Sequence, residues 1–131
     1  MLARAGDGHV TEGKILFAGG WPLNGHAPTS VVDIYDYATA KWTSANLSVP
    51  RMYMSAASTG QYALFSGGLS AEGDSQVVDI YDAVNDVWST STLIVPQREG
   101  AATGTMAGAV FFGGGHSQIW SAATRQWTTR N

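Results

Sequence analysis

The hexapeptide Val31-Val32-Asp33-Ile34-Tyr35-Asp36 returns letter for letter as Val77-Val78-Asp79-Ile80-Tyr81-Asp82, 46 residues further on. Self-similarity at a period of roughly 20 to 50 residues is the signature of solenoids, propellers and arrays, so it limits the fold before any local reading begins. The surrounding residues repeat in phase. Leu16-Phe17-Ala18-Gly19-Gly20 reappears as Leu64-Phe65-Ser66-Gly67-Gly68 and again as Val110-Phe111-Phe112-Gly113-Gly114, at shifts of 48 and 46. An aromatic stands seven residues before a Trp three times, as Tyr35 and Trp42, Tyr81 and Trp88, Trp120 and Trp127. Arg4, Arg51 and Arg98 precede the first Gly of their pair by 15, 16 and 15 residues. Three copies of one unit fill the chain.

Each unit reads as four short strands. In the second copy these are Met54 to Ser58, Tyr62 to Ser66, Val77 to Tyr81 and Val87 to Thr90, bounded by clusters of Gly, Asn, Asp and Ser. Short strands between turn formers predict an antiparallel meander. No segment shows a capped apolar period of 3.6 residues, so the fold class is all-β. Strands that are apolar on both faces, as in Val31-Val32-Asp33-Ile34-Tyr35, suit a sheet packed between other sheets.

The order of Arg, small-residue strand, apolar strand ending in Gly-Gly, and Tyr-Asp-x-x-[Thr/Asn]-x-x-Trp resembles the kelch repeat, with Thr39, Asn85 and Thr124 at the polar turn position. The resemblance covers nearly the whole chain. It implies a kelch-type β-propeller with three four-stranded antiparallel blades near residues 4–49, 50–96 and 97–131, forming a single repeat region over 1–131. Three blades are fewer than the roughly four to eight of a closed propeller, so this is a partial propeller or half of a closed ring. The chain starts near a first strand and ends after a last one, with no spare strand to complete a blade. Either a second copy closes a six-bladed homodimeric ring, or a longer parent chain supplies more blades.

The conspicuous residues are read first as architecture. The Gly pairs are followed by no helix and no Lys-[Ser/Thr], so backbone geometry explains them better than phosphate binding. Asp33 and Asp79 share a face with the strand aromatic and are expected to pair with an Arg such as Arg51 or Arg98, while the third copy has Gln118 instead. Trp42, Trp88 and Tyr81 are expected to be largely buried between units, with Trp127 partly open for want of a following blade. His9, His26 and His116 lie at no metal-ligand spacing and the chain has no Cys, so no metal site, cofactor or catalytic set is assigned. The triplet Asn46-Leu47-Ser48 fits a glycosylation sequon, although no secretory signal precedes it.

Seven Lys+Arg against ten Asp+Glu give no electrostatic footprint for nucleic acid. No apolar run reaches the ~18 residues of a membrane helix, and the cytoplasm is the default compartment. The copies differ most in one set of connections, Trp21 to Thr29, Leu69 to Ser75 and Gly115 to Ser117, which an antiparallel meander places at one end. Variable loops on a rigid frame usually hold the specificity. The kelch resemblance therefore implies a non-enzymatic module that binds a protein or peptide there, with Trp21, His26, Arg51, Glu72, Asp74, Arg98 and His116 as contact candidates. The alternatives are a fragment or assembly unit without activity of its own and a carbohydrate-active kelch enzyme.

Overall fold

A computed structural model of the chain describes residues 7–11, 13–96, 102–114 and 116–130. It is all-β and antiparallel. Sheet I is the meander β1 (Asp7–Thr11), β2 (Lys14–Ala18), β3 (Val31–Asp36) and β4 (Lys41–Asn46). Sheet II holds β5 (Ser55–Thr59), β6 (Tyr62–Ser66), β9 (Val77–Asp82) and β10 (Val87–Thr92) in the same order, interrupted by a small hairpin of β7 (Leu69–Ser70) and β8 (Gly73–Asp74). Sheet III is β11 (Ala102–Met106), β12 (Ala109–Gly114), β13 (His116–Ser121) and β14 (Trp127–Arg130).

The turn before each fourth strand explains the repeated Tyr-Asp spacing. The Asp36 carboxylate accepts hydrogen bonds from the Ala38 and Thr39 amides, and Asp82 accepts from Val84 and Asn85 in the same way. These Asx turns end in a left-handed residue, Ala40 at φ 56° and Asp86 at φ 54°, which redirects the chain into β4 or β10. Arg125 takes φ 57° ahead of β14.

Alternation along the strands gives every sheet two faces, and the sheets pack face to face. Leu16, Ala18, Val32 and Ile34 of sheet I meet Ala63, Phe65 and Tyr81 of sheet II. The opposite face of sheet II, with Ala57, Leu64, Val78 and Ile80, meets Val110, Phe112 and Trp120 of sheet III. Strand β5 lies against both β1 and β11, so the first strands converge. The fourth strands β4 and β14 are largely exposed.

This stacking corrects one expectation about the aromatics. Tyr81 is buried at 1% exposure, but Trp42 is 57% exposed and Trp88 is half-buried. Trp42, Tyr35 and Phe17 form a ring cluster with centroid distances of 5.0 and 6.1 Å on the outer face of sheet I, which no other sheet covers among the described residues. The same cluster in sheet II, Trp88 with Tyr81 and Phe65, is roofed by sheet I. Trp127 is half-buried because its face looks back onto sheet II, where its indole N–H donates to Ser91 Oγ at 2.8 Å. The bare aromatic face therefore belongs to the first sheet, not the third.

Sheets I and II are also joined at their edge by a polar chain. Lys14 Nζ donates to the Tyr81 hydroxyl at 3.2 Å, and that hydroxyl donates to Asp86 at 2.8 Å. The bond to Tyr81 raises the Lys14 pKa, and burial followed by the bond to Asp86 raises that of Tyr81, against an opposing pull from Lys14. Both folded-state values lie above the unfolded ones. Their contribution to stability is thus complete below the ordinary lysine and tyrosine range and is lost as pH rises through the folded values. Lys14→Met is expected to move the Tyr81 titration further upward, measured by ring-carbon NMR shifts against pH; a downward move would contradict the arrangement.

Candidate functional site

The antiparallel topology gives the molecule two unlike ends. One holds the tight turns near residues 37–40, 60–61, 83–86, 107–108 and 122–126. The other gathers the Gly pairs, the segments that link one sheet to the next, and the connections that differ between copies.

At this second end the link from sheet I to sheet II is clamped from below by Arg51. The guanidinium is fully buried, forms an ion pair with Asp79, and donates to the carbonyls of Gly67, Val77 and Phe65 at 2.7 to 3.3 Å. Burial lowers the arginine pKa, and the Asp79 carboxylate opposes that shift. Asp79 also accepts the Ser48 amide at 3.0 Å. Sheet III solves the same problem without charge. Gln118 occupies the Asp79 register, and its side-chain oxygen accepts from Ile94 at 2.6 Å while its nitrogen donates to Val95 O at 3.1 Å.

The Gly pairs let the links pass close to the strands. Gly19 at φ 66° and Gly68 at φ 90° adopt a left-handed backbone, and a Cβ on either would lie 2.5 Å from the carbonyl oxygen of Arg51 or Met52. The Gly20 amide donates to Arg51 O at 2.8 Å. These residues serve the frame.

Among the expected contact residues, Trp21, His26, Glu72, Asp74 and His116 are exposed at this end. Arg51 is not available at the surface, because it is fully buried and both of its terminal nitrogens donate into the seam between β6, β9 and the link. Arg98 lies outside the described residues. Among those described, no group of three or more His, Cys, Asp or Glu could hold a metal ion, and no helix is long and apolar enough to cross a membrane.

The structure adds a feature that spacing alone did not reveal. The 22–29 connection, the link at Val49-Pro50 and the turn of the β7–β8 hairpin enclose a groove of about 270 Å³. Its floor and walls are Ala27, Pro28, Val49, Pro50 and Ala71, with Ser70 and Glu72 as the polar lining. Backbone bonds fix all three walls. Thr29 N donates to Gly20 O, and Met52 and Leu69 exchange bonds at 3.0 and 2.7 Å, tying the hairpin to the link.

No protein-family model matches the chain, and no curated protein shows significant sequence similarity to it.

Proposed function

We propose that the chain is a kelch-type propeller unit that acts as a protein-binding scaffold, capturing a protein or peptide partner at the end that carries the non-repeating connections. The observation behind this reading is a division of labour along the strands. Repeated residues such as Arg51, Asp79 and the Gly pairs are spent on the frame, whereas Trp21, His26, Glu72 and Asp74 are exposed on connections whose sequences do not repeat between the copies. Large aromatics and charged groups on a pre-ordered surface are the usual anchors of recognition.

The uncovered flanks favour an assembly role alongside it. The face of sheet II bearing Tyr81, Phe65 and Asp79 is roofed by Leu16, Val32 and Ile34, and sheet I offers the same face, Tyr35, Phe17 and Asp33, without a roof. Sheet III has Ile119, 44% exposed, in the register of Ile34 and Ile80. Sheet III thus offers the isoleucine of the roofing face, with Ser117 in the register that Val32 fills in sheet I. A second copy closing a six-bladed ring, or further blades of a longer parent chain, would satisfy both flanks.

The binding reading is tested by selecting peptides from a random display library against the chain. Enriched peptides are expected to lose binding when residues 22–28 are replaced by a Gly/Ser segment and to retain it when the turn at 37–40 is replaced. Peptides that follow the opposite pattern, or no enrichment at all, would overturn it.

A further inference from the structure

We infer that the groove between the 22–29 connection and the β7–β8 hairpin is a seat for one basic side chain, lysine or arginine, of a bound peptide. The inference rests on the loop-end reading above and names the chemistry of its ligand. Size comes first. At about 270 Å³ the space falls below the roughly 300 to 1,000 Å³ of small-molecule sites, so it suits a single long side chain better than a cofactor.

Its walls select the kind of side chain. Pro28, Val49, Pro50, Ala27 and Ala71 present an almost wholly apolar surface, and the charged lining residue is Glu72. Lysine and arginine have that combination in reverse, an apolar stem ending in a cation. An acidic side chain would meet Glu72 with like charge, and a purely aliphatic one would leave the carboxylate unanswered.

Glu72 is prepared for the role. Its backbone amide donates to Ser70 Oγ at 3.2 Å, and Ser70 Oγ donates to Gly73 O at 3.1 Å, fixing the turn that holds it. Its carboxylate is exposed and has no ion-pair partner among the described residues. The nearby cation does not compete for it, since Arg51 is already paired inside the frame. The hairpin in turn hangs on Met52, one residue beyond that clamp, so the seat exists before a ligand arrives.

The test uses the full chain, isotope-labelled, titrated with a capped Ala-Ala-Lys-Pro-Ala peptide and with the same peptide carrying norleucine, which keeps the stem and removes the charge. Lysine peptide is expected to shift the amides of Ala27, Val49, Ala71 and Glu72 and to bind about two- to fivefold more tightly than norleucine at low salt, the range of an exposed ion pair. Added salt and Glu72→Gln should each erase that difference, and Ala71→Trp, which fills the groove, should abolish the shifts. Equal binding of the two peptides, or an unchanged preference in Glu72→Gln, overturns the charged seat. Shifts confined to Trp21 and His116 overturn the groove while sparing the loop-end reading, and shifts confined to the turns at 37–40 and 83–86 count against both.

Discussion

Replacing Arg51 by Met is expected to cost about 3 to 5 kcal/mol, because it leaves a buried carboxylate without its counter-charge. Asp79 is 2% exposed, and three backbone carbonyls lose the same donor at once. A domain with a total stability of about 5 to 15 kcal/mol would lose a large share of it. The milder Asp79→Asn variant keeps an acceptor for the Ser48 amide, as the amide of Gln118 does for Ile94, and should fall between the parent and Arg51→Met. Urea unfolding midpoints check both. An Arg51→Met midpoint equal to that of the parent would show that the clamp does not hold the link.

Trp120 and Trp42 make the second contrast. Trp120 is fully buried, packs edge-on against Tyr62 at 5.6 Å and is covered by the Arg125 guanidinium. Its truncation to Ala removes a large buried ring and should cost about 3 to 5 kcal/mol. Trp42→Ala, on the open face of sheet I, should cost under about 1 kcal/mol in dilute chain, as surface changes do. If a second copy roofs that face, Trp42 fluorescence shifts to the blue as concentration rises and Ile119→Lys prevents the shift. A Trp42→Ala loss as large as that of Trp120→Ala in dilute solution would mean that the stacking order is wrong.

The strands were legible because alternation and repetition agreed. Val32 and Ile34 against Asp33 and Tyr35 already define two faces, and two identical copies make chance an unlikely author. The ion pair was legible for a similar reason, since Arg51 and Asp79 both recur by type in the first copy. Which face would be roofed was not legible. Periodicity assigns residues to faces but carries no information on the direction in which sheets stack, so the expectation of a largely buried Trp42 fails where it is 57% exposed, while Trp127 is half-buried. Arg51 likewise could not be separated from an exposed arginine, because length and charge read the same whether the acceptors are water or carbonyls. The groove was hidden for another reason. Its walls come from residues 27–28, 49–50 and 70–72, three segments far apart in the chain of which Val49-Pro50 repeats, as Val95-Pro96, while the other two do not, and the strands β7 and β8 are two residues each, too short to alternate.

The bond from Thr29 N to Gly20 O, 2.8 Å long, closes the first connection at its base. Everything between those two residues hangs from a closed neck, while Gly19 N bonds Val31 O and Gly20 N bonds Arg51 O on the frame side of it. The second copy has the same neck, from Ser75 N to Gly68 O at 2.9 Å, around a differently shaped excursion. Loop closure grows costlier only slowly with length, so such excursions behave as exchangeable cassettes. A lineage, or an engineer, can rewrite what the surface recognises without renegotiating how the sheets stand.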